Sequence, residues 1–142
     1  MSTYTVSEMG DINVVSGMIV DAAYRVHSRL GPGLLESVYE AVFARMLEKR
    51  GLHVERQVPV ALEYDGIRYE AAHRVDLLVE NQVVVEVKAV DTTIPVHSRQ
   101  VLTYLRLLDL RVGLLINFGA EKLHDGLRRI LNPHASPKTN QA

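Results

Sequence analysis

The chain has 142 residues, a formal net charge of −1 and an apolar share of 47%, enough for one ordinary core without disulfides or a structural metal. It contains no cysteine, which excludes thiol nucleophiles, Cys-ligated zinc and iron–sulfur clusters, and its charge argues against a strongly basic DNA coat. We expect a single domain over residues 1–132, followed by a polar, disordered tail over residues 133–142.

The first part of the chain has the apolar spacing of two amphipathic helices. Between Ile12 and Leu30 apolar residues recur at mixed three- and four-residue steps, and the stretch Gly31-Pro-Gly33 ends this helix. A second helix is predicted from about Leu34 to Arg50, with Gly51 at the position after its C-terminus. The residues expected on its core side are Leu35, Val38, Val42, Phe43, Met46 and Leu47.

From Val54 onward the spacing changes to that of strands. VERQVPVALEY and IRYEAAHRVDLLVE flank Asp65-Gly66, a strong two-residue hairpin signal. VVVEVKAV is β-branched apart from two charges, which predicts a strand covered on both faces near the middle of the sheet.

The remaining elements are a helix between Val96 and Asp109, the strand RVGLLINF and a short helix from about Glu121 to Leu131. The predicted order is therefore α-α-β-β-β-α-β-α. The fold class that this order predicts is α/β (α+β): a mixed sheet flanked by helices, in which the last strand pairs parallel after a helical crossover.

Two carboxylates are predicted to face each other across the hairpin between RVDLLVE and VVVEVKAV. If the turn is symmetric about Asn81, Asp76 lies opposite Glu86, with Cβ atoms roughly 5 Å apart. Such a pair is costly in a covered strand unless a cation is bound. Lys88 shares the face of Glu86 by the two-residue strand period. The pattern D…ExK thus offers two oxygen ligands for Mg²⁺ and an ammonium that can position an attacking water. The alternative is that Glu86 and Lys88 form an exposed ion pair on an edge strand and that Asp76 is unrelated to them.

The next helix carries further polar candidates. Gln100 and Tyr104 are four residues apart and therefore on one face. Alone they fit a solvated face with an amphipathic tyrosine, but beside the carboxylates they fit a pair that supports the site or the substrate. Arg99 and Arg106 are candidates for contacts to phosphate oxygens, with a solvated role as the alternative.

In the second helix, Glu36 and Tyr39 are three residues apart and are expected to be neighbours on its surface. The spacing leaves two interpretations of Glu36 open. It is either a first-turn carboxylate near the positive helix end or a third acidic group at the metal site.

The stretch GLLESVY, Gly33–Tyr39, resembles the naming motif of the GxxExxY proteins. The resemblance continues through HSRLGPGLLESVYEAVF, HRVDLLVENQVVVEVKAV, RQVLTYLR and VGLLINFGA, from about residue 13 to residue 132. That family is grouped with the PD-(D/E)XK nuclease superfamily, so the resemblance implies a restriction-endonuclease-like αβββαβ core.

The same resemblance assigns roles to individual residues. It implies that Asp76 and Glu86 are metal ligands and that Lys88 is the catalytic lysine. Gln100 and Tyr104 match a QxxxY element found in some branches of the superfamily, and Glu36 matches an acidic residue that many members carry on the first helix. Valine stands before Asp76 where the name of the superfamily gives proline.

The predicted function is Mg²⁺-dependent hydrolysis of phosphodiester bonds in nucleic acid, with DNA expected rather than RNA and Mn²⁺ as a substitute. The alternative is a catalytically weak or inactive module that keeps the nuclease fold and binds nucleic acid or protein. We expect a cytoplasmic protein without a membrane partner, and a homodimer is compatible with cleavage of two strands. The predicted metal ligands are Asp76 and Glu86, and the predicted catalytic residues are Lys88, Glu36 and Gln100. The predicted substrate contacts are Tyr104, Arg99 and Arg106.

Overall fold

The computed structural model describes residues 11–137 and consists of a five-stranded mixed sheet with helices on both faces. The strands stand in the order β1-β2-β3-β4-β5, and all neighbours are antiparallel except β3 and β4, which are parallel. The predicted meander and parallel crossover are therefore confirmed. In chain order the elements are α1 (Ile12–Leu30), α2 (Glu36–Lys49), β1 (Val54–Tyr64), β2 (Ile67–Val79), β3 (Val83–Lys88), α3 (Pro95–Leu108), β4 (Val112–Asn117), a 3₁₀ turn (Leu123–Gly126) and β5 (Leu127–Leu131).

The two faces of the sheet bury separate clusters. Helices α1 and α2 cover one face, where Val83, Val85 and Val87 of β3 point into the larger cluster. Helix α3 covers the other face, where Val84 of β3 meets Leu105 of α3. Both faces of β3 are buried, as its continuous β-branched run predicts.

The buried side of α2 agrees with the prediction at Phe43 and Leu47 and differs from it elsewhere. Tyr39 and Phe43 turn to the core, because both rings contact Phe118 with centroids 5.0 and 5.5 Å away. Aromatic packing, rather than the richest aliphatic stripe, thus sets the rotation of this helix. Three residues expected in the core lie on the exposed side instead: Leu35, Val38 and Val42.

The predicted helix from Glu121 to Leu131 is wrong. Only the 3₁₀ turn is helical there, and Leu127–Leu131 pairs antiparallel with β4. The free edge of β4 offers unpaired backbone groups, and pairing with them outweighs the weak local preference for helix. Close packing also favours the turn, since a Cβ on Gly126 would lie 2.7 Å from the carbonyl oxygen of Asn117.

The segment after β5 contacts the end of α3. Ser136 donates its backbone N–H to Asp109 Oδ1 at 2.9 Å, and residues 138–142 of the predicted tail lie outside the described residues. Within residues 11–137, no helix is long and apolar enough to cross a membrane.

Candidate active site

The hairpin between β2 and β3 has the predicted register. The last pair of the ladder before the site is Leu77 with Val85, and the pairing is symmetric about Asn81. Asn81 and the preceding Glu80 have φ near 52° and 53°, so two residues in the left-handed region close the turn. Asp76 and Glu86 occupy the next opposed positions.

Asp76 and Glu86 are cross-linked through the backbone of the opposite strand. The backbone N–H of Asp76 donates to Glu86 Oε1 at 3.0 Å, and the N–H of Val87 donates to Asp76 Oδ2 at 2.9 Å. Each carboxylate therefore stands where a ladder hydrogen bond would otherwise form. The positions of both side chains are fixed by the sheet itself.

The electrostatics of this pair are those of two carboxyls that cannot both ionise cheaply. Glu86 is only 5% exposed. Burial, followed by the negative charge of Asp76, raises the pKa of Glu86 to about 8, while the hydrogen bond from the Asp76 N–H and the charge of Lys88 oppose this rise. Without a cation the pair thus retains a proton at neutral pH.

Glu36 and Lys88 complete a cluster with the two carboxylates. Burial raises the pKa of Glu36, the charge of Lys88 lowers it, and the charges of Asp76 and Glu40 raise it further. Glu36 and Asp76 line the same cavity, so the first turn of α2 lies beside the hairpin. A role for Glu36 at a metal site stays a prediction, as does the alternative of a first-turn carboxylate near the positive helix end.

A hydrogen-bond network that the sequence did not predict supports Asp76. Glu40, 7% exposed, accepts from Arg56 Nη2 at 2.9 Å and from Gln57 Nε2 at 2.7 Å. The same Gln57 amide nitrogen reaches Asp76 Oδ1 at 3.3 Å. Gln57 lies on β1 with φ 52°, although the register of β1 with β2 is the same on either side of it, and its amide nitrogen reaches both acids. The one sequence sign was an acid, Glu40, one turn after Glu36.

Helix α3 contributes one face to the site. Burial, then the charges of Glu86 and Asp76, raise the pKa of Tyr104. At the helix start, burial and then Lys88 lower the pKa of His97. Gln100, half-buried, lies on the same face between these two residues.

The predicted arginines are placed differently from Gln100 and Tyr104. Arg99 and Arg106 are both exposed and share the outer side of α3 with Thr103. The structure therefore does not bring them to the carboxylates. A contact with more distant phosphates of a substrate stays a prediction for both.

Tyr39 lies in the core and holds the loop before α2 through its hydroxyl group. Its hydroxyl donates to the carbonyl oxygen of Gly31 and accepts from the N–H of Leu34 at 3.1 Å. The expectation that Tyr39 is a surface neighbour of Glu36 is thus wrong, because its ring is fully buried against Phe118. Its hydroxyl instead fixes the loop that leads into α2 and so sets the position of Glu36.

Asn117 holds the chain that leaves β3. It is paired with Lys88 in the parallel ladder, and its side chain both donates to Val90 O at 2.7 Å and accepts from Val90 N at 3.0 Å. Strand β3 therefore ends at Lys88, two residues earlier than predicted. Gly119 passes so close that a Cβ there would lie 2.4 Å from the Val90 oxygen.

The Asp76 side of the cluster opens to solvent. A cavity of about 660 Å³ is lined by acidic and amide side chains from α2, β1 and β2, and by residues at the start of α2. Among residues 11–137, no three His, Asp or Glu side chains already stand as a complete metal cage. The lining residues are Leu35, Glu36, Ser37, Glu40, Gln57 and Asp76.

A family model described as the PD-(D/E)XK nuclease superfamily matches residues 13–130. The chain belongs to this superfamily. Searches of curated proteins and of solved structures gave no match. Nucleases of the superfamily generally use divalent metal ions, and the fold found here is the expected restriction-endonuclease-like one.

The superfamily pattern coincides with the cluster described above. Asp76 matches the aspartate of the pattern, and Glu86 and Lys88 match its ExK part. Val75, which is fully buried, takes the place of the proline. The two carboxylates fit a hard divalent cation, because they are held close together and Glu86 keeps a proton when no cation is bound. A bound cation would remove the repulsion between the two carboxylates. Asp76 and Glu86 would hold such a metal.

Proposed function

We propose that this protein is a Mg²⁺-dependent nuclease that hydrolyses phosphodiester bonds, in DNA rather than RNA, with Mn²⁺ as a substitute metal. The observation that carries the proposal is the pair formed by buried Glu86 and half-buried Asp76, each of which accepts a backbone hydrogen bond from the opposite strand beside Lys88. Without a metal, ionising Glu86 beside Asp76 costs free energy, so Glu86 keeps its proton. A metal site is the simplest use of that arrangement. The GLLESVY stretch further supports a place among the GxxExxY proteins.

Asp76 and Glu86 would hold the metal, which would supply Lewis acidity at the scissile phosphate and lower the pKa of a water. Lys88 orients the attacking water and offsets the charge that develops on the phosphate. Glu36 accepts a second hydrogen bond from that water. The oxygen of the water bonds to phosphorus, the bond to the leaving sugar oxygen breaks, and the proton of the water ends on the leaving oxygen or in solvent.

Helix α3 holds the substrate in this scheme. The raised pKa of Tyr104 keeps its hydroxyl protonated at neutral pH, so that it donates a hydrogen bond to a phosphate oxygen. Gln100 offers an amide donor on the same face. Arg99 and Arg106 contact phosphates further along the strand from the outer side of the helix.

The test is a cleavage assay on single-stranded, duplex and branched DNA and on RNA, with Mg²⁺, with Mn²⁺ and with EDTA. The wild type is expected to cut at least one DNA substrate only with metal, and Glu86→Ala and Lys88→Ala are expected to lose this activity. Glu48→Ala, an exposed acid of α2 outside the site, is the matched control and should cut like the wild type. Cleavage that survives both site variants would refute the proposal.

An accessory module that binds without turnover is the second candidate, and the net charge of −1 favours it modestly because few phosphates can be neutralised. The same experiment separates the two. Metal binding by the wild type without cleavage of any substrate would identify the accessory module.

A further inference from the structure

The β1–β2 hairpin carries an unpartnered apolar face beyond the sheet. Leu62 is paired with Tyr69, and Tyr64 with Ile67, so these four side chains lie on one face of the ribbon. They are 38, 48, 71 and 55% exposed, respectively. Residues 61–70 form a projecting element that we call the arm, whose apolar face the described part of the chain leaves uncovered.

The rest of the arm is acidic. Glu63 and Glu70 lie on the face opposite the apolar one, and Asp65 is in the turn, with φ 52°. Arg68, the one base of residues 61–70, is paired with Glu70. An acidic surface repels phosphates, so the arm is unsuited to nucleic acid.

A groove on the helical layer has the complementary character. It lies between α1 and α2 and has a volume of about 440 Å³. Val42 and Met46 give it an apolar floor, while three bases surround it: Arg29, Arg45 and Lys49. Val42 is one of the α2 residues whose spacing predicts burial but which the chain itself leaves exposed.

We propose that the arm of one copy of this chain docks in the α1–α2 groove of a second copy. The apolar faces match in kind, the charges around them are opposite in sign, and each molecule carries both surfaces. A two-fold exchange of arms would therefore cover both arms and both grooves and close the assembly as a dimer. Aromatic anchors such as Tyr64 seated in an apolar groove are typical of the residues that dominate binding free energy.

The proposal is independent of the nuclease proposal, because it is tested without substrate or metal. The wild type at tens of micromolar is expected to be a dimer by sedimentation velocity and by light scattering. Tyr64→Ser, at an exposed position that folding does not need, should weaken the dimer roughly tenfold or more in Kd. Leu131→Ser, at an apolar position on β5 that is 58% exposed, should leave the dimer unchanged.

A charge exchange gives the decisive measurement. The arm variant Glu63→Lys/Glu70→Lys and the groove variant Arg45→Glu/Lys49→Glu should each be monomeric, because the arm and the groove of each variant then carry net charges of the same sign. In an equimolar mixture one contact is native and the other has both charges reversed. The mixture should therefore recover dimers that contain one copy of each variant, while circular dichroism confirms that each variant is folded.

Three outcomes would overturn the proposal. The first is a wild type that stays monomeric over this concentration range. The second is a pair of charge variants that dimerise as well as the wild type, or a mixture that recovers no dimer. The third is a monomeric wild type whose nucleic-acid binding is weakened by the groove variant, which would assign the groove to nucleic acid.

Discussion

Replacing Glu86 by glutamine tests the central electrostatic claim. The glutamine amide has the shape of a protonated carboxyl and keeps an oxygen that can accept from the Asp76 N–H, but it cannot ionise. The variant therefore removes the cost of ionising a buried group beside Asp76. It also removes one of the two proposed metal ligands.

The magnitude follows from the pKa of Glu86, which is about 8 in the folded protein against an ordinary value of 4.5. Between these values the folded chain holds a proton that the unfolded chain has released, so the free energy of unfolding falls by about 1.4 kcal/mol per pH unit as pH rises. The stabilising contribution is complete below the unfolded pKa and is lost as pH rises through the folded pKa. At neutral pH the accumulated loss is about 3 kcal/mol.

Urea unfolding in EDTA is the assay. Metal-free Glu86→Gln should be more stable than the wild type at about pH 8, by a few kcal/mol, and the difference should shrink toward about pH 5. After the EDTA is removed, free Mn²⁺ at one hundred times its Kd should stabilise the wild type by about 2.7 kcal/mol and should not stabilise the variant. Glu48→Gln, exposed on α2, should behave like the wild type in both respects. Parallel pH curves for Glu86→Gln and the wild type, or equal stabilisation by Mn²⁺, would refute the reasoning.

Three further changes probe the supporting structure. Gln57→Ala removes the amide that donates to Asp76 and should weaken Mn²⁺ binding roughly tenfold by calorimetry; unchanged affinity would contradict a positioning role. Tyr39→Phe keeps the buried ring but loses both hydroxyl hydrogen bonds, so urea unfolding should show a free energy of unfolding lower by about 1–2 kcal/mol. An unchanged free energy would argue against a role of the hydroxyl in holding the loop before α2. Gly119→Ala places a Cβ 2.4 Å from a backbone oxygen and should lower the free energy of unfolding by about 2 kcal/mol or more. Gly17→Ala, in open space on α1, is its control and should raise that free energy by up to about 1 kcal/mol.

Local patterns were sufficient for most of the framework. The Asp65-Gly66 turn, the register about Asn81 and the buried strand β3 all depend on neighbours in sequence, and the structure has each of them as predicted. The two-residue period of a strand is rigid, so counting residues from the turn was enough to bring Asp76 opposite Glu86.

Contacts between distant parts of the chain decided the rest. Nothing near Gln57 indicates that its backbone turns left-handed and its amide bridges Glu40 and Asp76, because both partners are far away in sequence. Likewise, Leu127–Leu131 becomes a strand only because β4 has a free edge to pair with.

The sequence by itself therefore determined the carboxylate pair and the αβββαβ order, since both follow from spacing within or next to an element. Tertiary structure alone decided which side of α2 is buried, where the third acid stands and how the pair is supported. Those properties arise from packing on Phe118 and from hydrogen bonds between elements, whose free energies exist only once the layers have come together.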